Sequence, residues 1–319
     1  MAYASVGLKT HIWNNNLKSM LLLAGFPLLI FAMMWAFFTI IDVQQFAGAW
    51  QDAPINAGSA FEETIIYSPY IFGGVAIWFL IAWFFHQGMI NRATGAKPVA
   101  RAEQPELYNM LENMSISRGI TMPHLCVIEN DALNAYASGL KESNYTITLT
   151  TGIIQKLNPE ELEAVIGHEL THIMNRDVRL LVISIIFVGI LSFLAEMAFR
   201  AVLRGSGRSR KGGGPAIIIG LVILLIGYLF AILIRFALSR KREYLADAGA
   251  VELTKNPAAM ISALEKISGK AEMKGAPEEV KQMFIEHAPK IGFLKTGLFG
   301  IFATHPPIEK RIEVLKGML

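Results

Sequence analysis

Two stretches constrain this chain before anything else does. Met20 to Ile41 runs for 22 residues without Asp, Glu, Lys or Arg, and Ile65 to Phe85 runs for 21. An uncharged apolar helix of about 20 residues crosses the ~30 Å hydrocarbon layer of a bilayer. Inside that layer only a helix or a closed barrel satisfies its own backbone hydrogen bonds, so each stretch is expected to be a membrane-spanning helix. Pro215 to Ile234 adds 20 uncharged residues, whereas Leu180 to Ala195 reaches 16 before Glu196 interrupts it. In chain order the fourth run is long enough to span and the third is marginal, giving about four transmembrane helices. With 53% hydrophobic residues over 319 positions and a mean hydropathy of +0.42, the chain carries more apolar surface than a soluble domain of this size buries.

Lys9 and Lys18 precede the first run as they would in a signal peptide. The run is too long for such a segment, however, and ends in the bulky series Phe37, Phe38, Thr39 and Ile40 without a small-x-small cleavage site, so it is expected to stay as an anchor. The loop from Asp42 to Thr64 holds Asp42, Asp52, Glu62 and Glu63 and no Lys or Arg, which by the positive-inside tendency faces it away from the cytoplasm. The N-terminus, His86 to Arg179, and the segment after Ser239 with its Arg240-Lys241-Arg242 cluster then face the cytoplasm. Arg200, Arg204, Arg208, Arg210 and Lys211 between the third and fourth runs oppose simple alternation, so whether that hairpin crosses fully stays open. Its two flanks end on the same side in either case. The division expected is 1–86 for an N-terminal transmembrane hairpin, 87–179 for the first part of a catalytic domain, 180–238 for a second hydrophobic hairpin, and 239–319 for the second part of that domain.

Cys126 is the single cysteine, so no intramolecular disulfide forms, and its apolar surroundings make it inert core. The net charge of +3 and pI near 8.9 are modest, and the basic residues cluster beside the apolar runs, so no nucleic-acid partner is indicated. The polar part reads as mixed α and β. A helix is expected around Pro105 to Arg118 and a strand around His124 to Glu129. Asn134 to Leu140 and the alternating, β-branched Tyr145 to Leu149 are expected to pair antiparallel around a turn at Gly139 to Asn144.

Asn158-Pro159-Glu160-Glu161 carries three helix-start signals at once: Asn at the cap, Pro at the first helical position and Glu three residues after the cap. The helix it opens runs through His168-Glu169-Leu170-Thr171-His172. Residues four apart share a helix face, so both imidazoles can meet one metal ion while Glu169 projects beside them toward a water. Chance gives such a pattern in roughly one chain in a hundred of this length. Catalytic zinc needs three protein ligands and an open position. Glu243 and Asp247, four apart on a second expected helix, can supply the third ligand and a carboxylate for a ligand imidazole; alone, the same pair could equally be a solvated helix face.

With these motifs in hand, the sequence resembles the gluzincin metalloproteases of the HtpX type, relatives of the CAAX prenyl endopeptidases. His168-Glu169-Leu170-Thr171-His172, Glu243-Tyr244-Leu245-Ala246-Asp247 and Thr304-His305-Pro306-Pro307 stand in that family's order. The resemblance implies an α+β, mostly α fold in which a zincin-like domain is joined to about four transmembrane helices. It further implies one zinc ion per chain on His168, His172 and Glu243, Glu169 as the catalytic base, and Asp247 orienting His168. Asn134, Ala135, Tyr136 and Ala137 would be the edge strand that binds substrate, with Tyr136 where Phe is usual. His305 would be a donor to the oxyanion. It implies protein or peptide substrates, above all damaged membrane proteins, cleaved at a bacterial inner membrane by a domain facing the cytoplasm. A membrane scaffold with a structural metal would need a fourth ligand that no cysteine or well-spaced histidine supplies. A prenyl-protein protease is opposed by the small number of spans.

Overall fold

A computed structural model describes residues 8–46, 57–205, 227, 241–273, 276, 278–281, 283–285 and 306–319. Two long helices open it, α1 (Leu8–Phe46) and α2 (Ala57–Thr94). Within them Trp13–Ala36 and Ser59–Thr94 are long and apolar enough to cross a membrane. Both helices continue into polar sequence beyond the uncharged runs. At 1.5 Å per residue a helix of nearly 40 residues is about 58 Å long, well beyond the hydrocarbon layer. The third run lies in a helix of 29 residues, longer than expected; the fourth, Pro215 to Ile234, lies outside the described residues apart from Gly227.

The chain divides into two compact units. One comprises Met20–Trp83 and Ile186–Ile234. Its described part is joined by aromatic contacts: Phe26 stacks on Phe187 with centroids 4.2 Å apart, Phe79 meets Phe187 at 6.1 Å, and Phe31 meets Phe61 edge-on at 5.9 Å. The other comprises Met1–Ser19, Phe84–Ile185 and Arg235–Leu319, so the start of α1 groups with the polar part of the chain.

The polar unit holds β1 (Lys97–Pro98), α3 (Pro105–Arg118), β2 (His124–Ile128), β3 (Ala135–Ser138), β4 (Thr146–Thr150), α4 (Thr151–Lys156), α5 (Pro159–Met174) and the start of α6 (Asp177–Gly205). After the second apolar region come α7 (Lys241–Thr254), α8 (Pro257–Ile267), the short α9 (Glu278–Lys281) and α10 (Ile308–Lys316). The sheet order is β1-β2-β4-β3. β2 runs parallel to β4, while β3 is antiparallel to it with Ala135 opposite Leu149 and Ala137 opposite Ile147. β3 is therefore an edge strand of this sheet. β4 is buried along its whole length, with Thr146, Thr148 and Thr150 covered as fully as Ile147 and Leu149. Cys126 is buried on β2, and burial pushes its thiol up to about 11, away from thiolate chemistry.

α5 starts as its sequence dictates. Asn158 Oδ1 accepts from the Glu161 N–H at 2.8 Å, and Glu161 Oε2 accepts from the Asn158 N–H at 2.9 Å. Glu161 also accepts from Ser262 Oγ and Lys266 Nζ on α8, each at 2.6 Å, which ties the helix start to its neighbour. Further along, α5 and α7 cross on small residues. Gly167 lies against Ala250, and a Cβ on Gly249 would come within 2.6 Å of Thr171 Oγ1. That close approach sets the distance from His168 and His172 to the carboxylates of α7. Ala164, Ala250, Met260, Leu264, Ile308 and Leu315 close the core behind the crossing with α8 and α10.

Candidate metal centre

The histidines of α5 lie one turn apart on the face turned toward α7. His168 Nε2 and His172 Nε2 are 3.2 Å apart, and Glu243 on the first turn of α7 places Oε2 3.7 Å from the former and Oε1 3.7 Å from the latter. One ligand atom from each of these three residues falls within 4.8 Å of the others, so the trio can hold a metal ion. The separation of the two nitrogens fits: tetrahedral zinc with bonds of about 2.0–2.1 Å puts two imidazole nitrogens about 3.4 Å apart.

The remaining ring nitrogens strengthen the fit. His168 Nδ1 lies 3.0 Å from Asp247 Oδ1, and His172 Nδ1 lies 3.0 Å from Asp177 Oδ2. A proton on each Nδ1, with a carboxylate oxygen 3.0 Å away, leaves a lone pair on each of the two Nε2 atoms, which lie 3.2 Å apart. Two lone pairs at 3.2 Å repel unless a cation lies between them. Burial alone would lower the pKa of His172; the charge of Glu243 and the contact with Asp177 outweigh it and push it up to about 10. The cluster thus attracts positive charge, and a metal ion supplies it without protonating the ligands.

Asp247 is itself held. Arg311 of α10 donates to it twice, Nε to Oδ2 at 2.8 Å and Nη2 to Oδ1 at 2.6 Å, and its third nitrogen donates to the Ile285 carbonyl at 3.1 Å. Burial would raise the Asp247 pKa, but Arg311 keeps it below the ordinary carboxylate range. Arg242, at the end of the basic Arg240-Lys241-Arg242 cluster, is buried with Nε 3.4 Å from Glu243 Oε1.

Glu169 is buried and lines the same cavity as His168, His172 and Glu243, together with Ala137, Asp177, Val178, Leu181, Arg242 and Met283 to Ile285. Burial raises its pKa against the opposing charges of the two histidines. The expected exposed substrate edge differs from what is found. Asn134, Ala135, Tyr136 and Ala137 are all buried, and of the four only Ala137 lines the cavity. The Ile285 N–H donates to the Ala135 carbonyl at 3.0 Å, so the chain's own later segment occupies that rung of the edge. The Asn134 side chain fastens the same region, donating to the Ala271 carbonyl at 2.7 Å. The Tyr136 hydroxyl pairs with Thr94 Oγ1 at 2.9 Å, and its ring tilts against Phe284 at 5.7 Å. Because alternate residues of a strand turn their peptide groups to opposite sides, Ala137 directs its N–H and C=O outward as Ala135 does. Ala137, which lines the cavity, therefore has its backbone groups turned away from β4. His305 and Thr304 lie outside the described residues; Pro306 and Pro307 lead directly into α10.

Two participants escape a motif search. Asp177 stands five residues beyond His172, across the break between α5 and α6. Arg311 stands on the apolar stripe of α10 formed by Ile308, Ile312 and Leu315, and a lone arginine in such a stripe is the sequence signal for a buried partner.

A family model described as peptidase family M48 matches residues 101–319. The chain is 48% identical over 321 residues to a protein named Protease HtpX homolog from Bacteroides fragilis (strain YCH46), covering 98% of each. It is 39% identical over 254 residues to a Protease HtpX homolog from Lactobacillus helveticus (strain DPC 4571), covering 77% of this chain and 84% of that one. Among solved structures, S. mikatae Ste24p is similar over 95% of this chain and 66% of its own, with 18% identity and a TM-score of 0.43, a likeness too remote to assign residues.

Proposed function

The chain belongs to peptidase family M48, with the HtpX-type proteases, and from that premise we propose that it is a membrane-bound, zinc-dependent endopeptidase acting in the quality control of damaged or misfolded membrane proteins. One observation carries the reading: two imidazole nitrogens 3.2 Å apart, each ring backed by a carboxylate, with Glu243 closing the set and Glu169 in the same cavity.

In this reading His168, His172 and Glu243 hold the metal. Zinc bound there would polarise the scissile carbonyl as a Lewis acid and lower the pKa of a water. Glu169 takes the proton of the attacking water and delivers it to the leaving amine, so no covalent intermediate forms on the protein. Asp247 and Asp177 keep both imidazoles in the tautomer that turns Nε2 to the metal. An extended peptide pairs its backbone with the outward peptide groups of Ala137, a mode that reads main chain more than side chains and suits unfolded substrates. His305, on the strength of the Thr304-His305-Pro306-Pro307 motif, donates to the oxyanion. The catalytic part faces the cytoplasm at a bacterial inner membrane, as the acidic Asp42 to Thr64 loop and the basic residues around 240 suggest. The bilayer and membrane-protein substrates are then its partners.

The test uses the full chain purified in detergent. Casein cleavage should fall to background after treatment with a strong chelator and return on adding about one equivalent of zinc. Undiminished cleavage by the metal-free chain would overturn the zinc assignment.

A further inference from the structure

A residue near the start of α1 reaches the support of the metal centre. Asp177 turns Oδ2 to His172 Nδ1, and its other oxygen, Oδ1, accepts from Asn15 Nδ2 at 2.7 Å. The same amide nitrogen donates to the Asn175 carbonyl at 3.0 Å. A primary amide has two N–H donors, and here there are two acceptors for them. The reversed amide would set Asn15 Oδ1 against two oxygens, so its partners fix its sense. Asn15 is 4% exposed and Asp177 3%, which leaves little room for water to replace either bond. Between the two acceptors Arg176 adopts φ 59°, a left-handed conformation that costs a non-glycine residue about 1 kcal/mol or more. The turn that places Asp177 five residues after His172 is thus held from outside, by Asn15 and by Asn16 Oδ1, which accepts from Arg176 Nη1 at 3.4 Å.

We propose that Asn15 is a positioning residue for the metal centre: by fixing the Asp177 carboxylate it fixes the tautomer and tilt of the His172 ring, and hence the aim of Nε2. This rests on the metal centre proposed above. The residue belongs to the helix that carries the first apolar run, outside the 101–319 segment matched by the family model, so part of the centre's support comes from a different region of the chain. A purely structural alternative has a different signature, because capping of the Asn175 carbonyl would steady the turn whether or not Asp177 is present.

A double-mutant cycle on the full chain in detergent separates the two. Asn15→Leu, Asp177→Ala and the double variant are compared for zinc affinity, by competition with a chromophoric chelator, and for the visible spectrum of the cobalt-substituted protein. Loss of a group that orients a ligand histidine typically weakens metal binding ~10- to 100-fold. Asn15→Leu is expected to weaken zinc about 10-fold and shift the cobalt bands, and to add nothing further in the Asp177→Ala background. Unchanged affinity and spectrum in Asn15→Leu, or equal weakening in both backgrounds, would overturn the proposal. A wild-type chain that binds neither metal overturns the metal centre and this inference together, whereas normal wild-type binding with an additive cycle overturns this inference alone. If Asn15→Leu fails to accumulate as folded protein, Asn15→Ser carries the same cycle, since it removes the double donation with less disturbance.

Discussion

Replacing Glu169 with Gln is expected to lower casein cleavage by roughly 10³-fold while leaving the bound metal in place. A positioned general base contributes ~10²- to 10⁴-fold, and among the described residues lining the cavity the other carboxylates are engaged: Glu243 is assigned to the metal, and Asp177 faces a ring nitrogen. Gln keeps the shape of Glu169 in the cavity and loses only its ability to take up a proton. It belongs to none of the three residues whose ligand atoms converge, so metal content should match wild type. Cleavage within tenfold of wild type would remove Glu169 from the mechanism, and loss of metal along with activity would make it a ligand.

Arg311→Leu is expected to have the largest effect on stability. The side chain is almost fully buried, and its removal takes two donors from the Asp247 carboxylate, which among the described residues then keeps the His168 ring beside it, and takes the Arg311 donor from the Ile285 carbonyl. Breaking a buried ion pair from one side costs about 3–5 kcal/mol. For a domain of this size that lowers the thermal midpoint by roughly 10 °C. Arg311→Lys keeps the charge but cannot make the paired donation, so it should fall between the two. A midpoint for Arg311→Leu within 2 °C or so of wild type would show that Asp247 is satisfied in some other way.

Much of this arrangement was legible because it is local. The start of α5 is written in four consecutive residues, and the spacing of His168 and His172 follows from helical geometry, so both could be read without knowing the rest of the fold. The bounds of α3 were set by Pro105 and by the left-handed Gly119 that follows Arg118. What escaped was brought together from far along the chain. Arg311 meets Asp247 only after α7 and α10 have packed, and Asn15 lies about 160 residues from its acceptors; Asp177 is near in sequence but belongs to no motif, because the break between α5 and α6 takes it off the helical spacing. From sequence alone the Asn134 to Ala137 strand reads as an open edge, because its residues show only a strand. That Ile285 would donate to Ala135 depends on a segment 150 residues later with no strand pattern of its own.

The central claim is that three side chains from α5 and α7 hold one metal ion, and metal analysis of purified wild type beside Glu243→Ala tests it most directly. The arrangement predicts about one zinc per wild-type chain and a small fraction of that in Glu243→Ala, because two imidazoles remain where catalytic zinc takes three protein ligands. Full zinc occupancy in Glu243→Ala, in protein that is still folded, would contradict it.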